Sequence, residues 1–380
     1  MTETTGVVVV GAGPAGLAVA ACLRKAGLDF TILEKENQVG SSWRRHYERL
    51  HLHTIKKYSS LPHLPLPKDY PRYAPRNLVI EYLDSYAKKF ALQPRFGETV
   101  RSIHRNGGDW LVESSTSSLR APFAVVASGY NAEPVKPSFP GMEKFKGKII
   151  HARDYANAKP FAGQSVLVIG MGNTGAEIAL DLAENSARPT ISLRDGVHIV
   201  PRELFGIPIQ MISLLSGYLP GGGNSPLMLR IVDYALGDLS KHGIRRPPGP
   251  IAQTTGGRAR IPVIDVGTVK KIQENAIKIA PDISEVTADG AVFADGSKVA
   301  FDAIIFATGY RANYSAFLQG NDGAETLGDG PVNKASQSSG IYFAGLRNSA
   351  AGLLRDIAKE AVLIADDIVR RRRESASRAS

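Results

Sequence analysis

The sequence predicts an α/β protein of two units, each a parallel sheet flanked by helices, with the second unit inserted into a discontinuous first. Three observations predict it. The apolar run Val7–Val10 leads directly into the turn Gly11-Ala12-Gly13-Pro14-Ala15-Gly16. The run Val166–Ile169 leads into a turn of the same form, Gly170-Met171-Gly172-Asn173-Thr174-Gly175. A hydrophobic strand closing on alanine, a hydroxyl residue and glycine occurs twice, at Phe123–Gly129 and Phe301–Gly309. The pair reads as the chain leaving the first unit and returning to it.

Each turn stands between a strand and a helical pattern, Leu17–Lys25 after the first and Ala176–Glu184 after the second. In that context G-x-G-x-x-G marks a Rossmann-like dinucleotide-binding unit. The first glycine permits the tight turn, the second admits a pyrophosphate to the backbone, and the third lets helix and strand pack closely. The helix N-terminus offers free N–H groups and partial positive charge to the phosphates. Two such units imply two dinucleotides, and so electron transfer between them.

The elements follow in order. The first strand is 7–10, the helix after it runs to about 26, and Gly27 closes it. The second strand is Phe30–Leu33 with Glu34 at its tip, 18 positions after Gly16, where an acid accepts hydrogen bonds from a ribose diol. Lys35 follows it. Residues 40–76 are irregular and rich in Pro, His and Tyr, and their aromatics, Trp43 among them, argue for an ordered site loop. Asn77–Phe90 reads as an amphipathic helix, and 95–127 as strands of a small sheet. In the second unit the strand Thr190–Leu193 ends at Arg194, 19 positions after Gly175, with Arg202 nearby. An acid at the tip suits a free 2′-hydroxyl and an arginine suits a 2′-phosphate. The first unit therefore reads as an FAD site and the second as an NADPH site. Residues 204–262 carry helical apolar stretches broken at Pro220-Gly-Gly-Gly-Asn224. Ile341–Gly345 is a returning strand, and a last helix runs from about 352 to 370. The expected boundaries are 1–155 with 300–369 for the FAD unit, 156–299 for the NADPH unit, and a disordered basic tail at 370–380.

Composition narrows the function. The chain has 380 residues, 43% of them hydrophobic, and no run of apolar residues long enough to span a membrane. The start Met1-Thr-Glu-Thr-Thr lacks the basic region of a signal peptide. These features lead to an expectation of a cytoplasmic protein. The lone Cys22 excludes a disulfide framework and a C-x-x-C redox centre. Of the net charge of +10, the tail supplies +4 through five Arg and one Glu. No basic stripe interleaved with aromatics exists, so a nucleic-acid partner is not expected. Neither a metal nor an integral membrane segment is expected, and the oligomeric state is open.

Between the two turns stands Phe145-Lys-Gly147-Lys-Ile-Ile-His151-Ala-Arg-Asp-Tyr155. It is similar to the F-x-G-x-x-x-H-x-x-x-F/Y/W motif of class B flavin-dependent monooxygenases. Tyr155 favours the flavin-containing monooxygenase branch, since a Trp there marks the Baeyer–Villiger branch. Ala307-Thr-Gly-Tyr310 is similar to the family's A-T-G-Y crossing. Leu50-His-Leu, Leu61-Pro, Tyr70-Pro-Arg-Tyr, Arg194-Asp-Gly-Val-His, Gly237-Asp-Leu-Ser-Lys-His-Gly243 and Pro262-Val-Ile-Asp265-Val-Gly267 resemble YUCCA-type (indole-3-pyruvate) members most. The chain departs from the pattern at Ser128, at Gly40-Ser-Ser-Trp43 and at Leu346-Arg-Asn-Ser-Ala. The resemblance implies FAD, NADPH and O₂, a small-molecule substrate, and oxidative decarboxylation of an aryl 2-oxo acid such as indole-3-pyruvate. Oxygenation of amines or thioethers is the alternative, and a partner-dependent reductase a weaker one. The resemblance requires no side chain as general acid or base, so the catalytic residues stay unassigned. Phe145, Gly147, His151 and Tyr155 are motif residues with either a structural or a catalytic part. Lys56, Lys57, Trp43 and Tyr58 are the cation and apolar wall that the long loop offers an aryl 2-oxo acid.

Overall fold

In the computed structural model, the described residues are 1–216, 226–249, 251, 253–255, 258–319, 339–346 and 352–379. The expected break at Pro220–Asn224 and the departure at 347–350 lie outside them. The first unit is a five-stranded parallel sheet of β1 (Val7–Val10), β2 (Thr31–Glu34), β3 (Arg95–Phe96), β4 (Phe123–Val126) and β10 (Ile341–Phe343), the last named by its place in the chain. Its order is β10-β4-β1-β2-β3. Val7, Val8 and Val9 are wholly buried. Both faces of the sheet are covered, which is why these strands read as unbroken apolar runs.

One face carries α1 (Pro14–Lys25) and α4 (Leu353–Ala379), which pack Leu17, Ala21, Ile357, Ala361 and Ile364 into one core. On this side α2 (Arg76–Lys89) buries Tyr82 and Tyr86, close to its expected span. The other face carries a four-stranded sheet, in the order 2–4, 118–121, 109–114 and 100–106, around buried Trp110. The segment 95–127 therefore divides, since β3 and β4 belong to the parallel sheet. Local alternation cannot report which sheet a strand joins.

The second unit is a parallel sheet of β5 (Lys148–His151), β6 (Ser165–Ile169), β7 (Arg188–Ser192), β8 (Lys278–Ala280) and β9 (Ala303–Phe306), in the order β5-β9-β6-β7-β8. Its helix α3 (Asn173–Glu184) follows β6 as α1 follows β1. This corrects the expected boundaries at 155 and 300, because β5 and β9 pair inside the second sheet. The chain passes between units instead at Glu133–Pro134 and Tyr310–Arg311, and these two crossings pair with each other antiparallel. Among the described residues no helix is long and apolar enough to cross a membrane.

The basic tail also differs from expectation. Helix α4 continues to Ala379 instead of ending near 370. Arg370 bonds Glu374 one turn on (2.7 Å) and Asp367 one turn back (2.5 Å). Arg371 lies 5.0 Å over the Phe123 ring and donates to the Tyr342 hydroxyl at 3.2 Å. Charged side chains continue the helix because i,i+3 and i,i+4 partners and an aromatic face are in reach. Truncation after Val369 removes the cation–π contact, the Arg371–Tyr342 hydrogen bond and the Arg370–Asp367 ion pair, together about 1–3.5 kcal/mol. A thermal melt of that variant is expected to fall by several degrees, whereas truncation after Glu374 leaves the midpoint unchanged.

Candidate cofactor cleft

The two glycine turns separate what the protein needs from what a ligand needs. Gly11 takes φ +107°, and a Cβ there would lie 2.5 Å from the Ala127 carbonyl oxygen. A Cβ on Gly16 would lie 1.8 Å from the Gly11 oxygen. Both positions exclude any side chain. Gly13 does not, because φ −76° and ψ −176° are open to any residue and its Cβ would meet nothing within 4 Å. The second turn repeats the scheme: Gly170 at φ +100°, Gly175 with a Cβ 2.0 Å from the Gly170 oxygen, and Gly172 with open space. The room at Gly13 and Gly172 fits a pyrophosphate at the N-termini of α1 and α3. Within those turns Ala12, Ala15 and Met171 are buried core residues, Pro14 opens α1, and the Asn173 Oδ1 accepts from the Ile264 N–H at 2.7 Å.

The strand tips are not in the register that counting predicts. Gly11 N–H donates to the Leu33 carbonyl and Gly170 N–H to the Ser192 carbonyl. Leu33 and Ser192 are therefore equivalent, Leu193 matches Glu34, and Arg194 matches Lys35. The expected equivalence of Glu34 with Arg194 is off by one residue. Glu34 is buried and accepts from the N–H groups of Ala12 at 2.6 Å and Glu36 at 3.0 Å, which fixes its carboxylate at the tip. The second unit has an apolar residue at that place and a cation beside it. Arg194 is exposed, with its Nε donating to Asp195 at 3.0 Å, and Arg202 lies 4.4 Å over the Tyr73 ring.

A cleft of about 510 Å³ opens between the units. Gly11, Gly13, Glu34, Lys35 and Trp43 line it from the first unit, and Asn173 and Thr174 from the second. Ser128, Gly129 and Tyr310 line it from the crossings. The Ser128 hydroxyl is buried without a hydrogen-bond partner among the described residues, and a polar atom of a bound group would satisfy it. Arg194, Arg202, Phe145, Gly147, His151 and Tyr155 do not line this cleft.

The motif residues instead pack the second unit. A Cβ on Gly147 would strike the Asp302 carbonyl at 2.3 Å and the Phe145 ring at 2.6 Å. His151 is fully buried, edge-on to Tyr310 at 5.0 Å, with its Nδ1 accepting from the Arg153 N–H. Burial pushes its imidazole below the usual range, against the pull of the Gly309 backbone. Tyr155 is buried and donates to Asp181 at 2.6 Å, so its phenol is pushed well up by burial and by that carboxylate. Lys56 is occupied by the Lys68 and Tyr70 carbonyls, and Lys57 sits 5.7 Å from the Tyr58 ring, so neither is a cation of the cleft. Arg153 lines the cleft instead.

Sequence reasoning missed a polar cluster at the cleft. His53 Nε2 lies 2.6 Å from Glu177 Oε1, across 124 positions of sequence. Tyr47 is buried beside Glu177, and burial first, then that carboxylate, raises its phenol. Burial and the charge of Arg76 push the neighbouring His46 down to about 4. No spacing rule joins these residues; the 40–76 loop does so by crossing α3.

Replacing Gly13 or Gly172 by Val is expected to leave the melting midpoint of the cofactor-free protein within about 2 °C, because neither glycine is required by the backbone. Each loses the dinucleotide of its own turn. Gly16→Ala is expected to destabilise the fold itself. Cofactor content per chain, measured beside the melts, separates the two kinds of glycine.

Comparison with known proteins agrees with this geometry. The family model described as flavin-binding monooxygenase-like matches residues 4–321. The indole-3-pyruvate monooxygenase YUCCA8 of Oryza sativa subsp. indica is 39% identical, over 97% of this chain and 92% of its own. The flavin-containing monooxygenase of Stenotrophomonas maltophilia superposes with a TM-score of 0.73 at 23% identity, over 97% of this chain and 99% of that one. Cyclohexanone monooxygenase from Rhodococcus sp. Phi1, solved with NADP⁺, has a TM-score of 0.74 at 20% identity, over 98% and 85%. With two nucleotide turns opening on one cleft and the match along 4–321, the chain belongs to the flavin-binding monooxygenase-like family and is a flavin-dependent monooxygenase.

Proposed function

We propose that the enzyme uses FAD and NADPH to convert an aryl 2-oxo acid, with indole-3-pyruvate the leading candidate, to the corresponding acetic acid with loss of CO₂. The observation that carries the reading is the pair of glycine cradles, Gly13 and Gly172, with room beside the backbone on units that share one cleft. The YUCCA relatives supply the substrate class. Activation of O₂ is the chemistry that a bound flavin provides once reduced by NADPH.

The chain's own residues bind, orient and exclude water. Gly11 to Gly16 form the FAD pyrophosphate turn, and the fixed carboxylate of Glu34 takes the ribose hydroxyls. Gly170 to Gly175 form the NADPH turn. Leu193 stands where an acid would select a free ribose, and the exposed Arg194 takes the 2′-phosphate. Trp43 and Tyr47 give the cleft aromatic walls, and Arg153 has no carboxylate partner among the described residues. Arg153 is the cation this reading assigns to the substrate carboxylate. The motif residues His151 and Tyr155 hold the crossing and α3 in place and carry no chemistry. We place the enzyme in the cytoplasm, where NADPH is available and the lone thiol stays reduced.

A charge-assisted contact between Arg194 and a phosphate contributes about 1.5–3 kcal/mol, or roughly 10- to 150-fold in affinity. Arg194→Ala is expected to lose most of the preference for NADPH over NADH while reduction by NADH stays nearly constant. Equal use of both coenzymes by the unaltered enzyme would sink the assignment. Labelled O₂ with mass spectrometry tests the substrate. One labelled oxygen in indole-3-acetate is the expected result; oxygenation of trimethylamine with no turnover of 2-oxo acids would move the enzyme to the heteroatom branch.

A further inference from the structure

We propose that His53, oriented by the buried Glu177, supplies the proton that each turnover in this cleft consumes. The proposal rests on the monooxygenase reading above. In that reaction an aryl 2-oxo acid anion, O₂, NADPH and one H⁺ give the aryl acetate, CO₂, NADP⁺ and water. One oxygen atom goes to product and the other leaves as water, carrying the hydride-derived hydrogen and the proton. Heteroatom oxygenation makes the same demand for one proton. A positioned side chain must therefore hold a proton at the cleft and be recharged from solvent.

The geometry singles out one pair. His53 Nε2 and Glu177 Oε1 are 2.6 Å apart, with side chains 16% and 4% exposed. His53 lines the cleft beside Thr174, Thr54 and Tyr47. Glu177 stands in α3 just behind the NADPH turn, and no lysine or arginine forms an ion pair with it among the described residues. A buried carboxylate without a fixed cation must be hydrogen-bonded. Here the partner is the His53 imidazole, with the Tyr47 phenol and Thr174 beside it. The carboxylate commits the His53 Nε2–H as a donor and so fixes the tautomer and the ring plane. Nδ1 has no protein partner among the described residues and is left for a molecule in the cleft. One nitrogen held by an acid and the other free is the arrangement of an oriented acid–base residue.

Other titratable groups nearby do not compete. His46 is neutral near pH 7, since burial holds it far below the usual imidazole range. His151 has its Nδ1 occupied by the Arg153 N–H and lies outside the cleft. The groups that face the pair are Tyr47 and His46 on the same segment, Arg45 and Arg76 behind His46, Thr174 on α3 and Tyr310 on the crossing.

The test uses the holoenzyme with H53N, H53Q and E177Q. Flavin content and NADP⁺ affinity are measured by titration, and H₂O₂ released per NADPH oxidised is followed from about pH 6 to 9, the range of a histidine switch. Side-chain nitrogen NMR of histidine follows His53 directly. The expected result is that H53N and H53Q keep both cofactors within about twofold, lose the wild-type pH step in H₂O₂ release, and form product about 100-fold more slowly. In E177Q the His53 ring nitrogens lose the tautomer that the carboxylate imposes, read from their nitrogen shifts, and product forms more slowly. A wild-type pH profile in H53N overturns the proposal. So does loss of flavin or NADP⁺ in both His53 variants, which would make the residue a clamp between units. If the wild type leaves 2-oxo acids untouched, the substrate reading fails, yet the pH step in H₂O₂ release without acceptor and the NMR titration still decide the role of His53.

Discussion

The cleft depends on how closely each nucleotide turn folds back on its own strand. Gly16 and Gly175 bring the first turn of a helix against the carbonyl of the glycine that follows the preceding strand, leaving no room for a Cβ. That approach sets the helix N-terminus at the carboxyl end of the sheet, where free N–H groups collect. The middle glycine of each turn then stands over open space. Two glycines of three are required by the fold; the third is not, and it is the one we assign to the ligand. The motif alone does not make that division, because all three are the same residue.

A second constraint joins the two cradles. The crossings at 133–134 and 310–311 pair with each other, and the Val135 N–H donates to the Gly309 carbonyl at 3.0 Å. The 40–76 segment adds a separate set of ties to the second unit. Arg49 pairs with Glu184, Arg72 and Tyr73 donate to Glu203 at 2.9 Å, and the Ile55 N–H donates to the Gln210 side chain at 3.0 Å. His53 to Glu177 belongs to this set but is the member that lines the cleft. The long loop is thus ordered because its polar groups are distributed over both units, and not through its own secondary structure.

Much of this was legible in the residues. Both turns, the strands before them, Glu34 and the insertion of one unit in the other follow from local pattern and spacing. The boundaries did not, since β5 and β9 choose their sheet through partners more than 130 positions away. The register of Arg194 needed the hydrogen bonds of Gly11 and Gly170, which a count of positions cannot supply. The tail was misjudged for a physical reason: its arginines look solvated in sequence, yet Phe123 and Tyr342 offer Arg371 a ring and a hydroxyl. Glu177 was hidden in an unremarkable helical stretch, where nothing local distinguishes it from a solvated acid.

The single cysteine bears on where electrons go. Cys22 is buried in α1, and burial pushes its thiol up to about 12, so it is an apolar filler and not a nucleophile. It stands 3.6 Å from His63 and outside the cleft. The chain holds no second cysteine to form a dithiol with it. Electrons delivered to the cleft therefore cannot pass to a dithiol of this chain. O₂ takes them in a flavin-dependent monooxygenase, and no cysteine lines the cleft for a covalent relay.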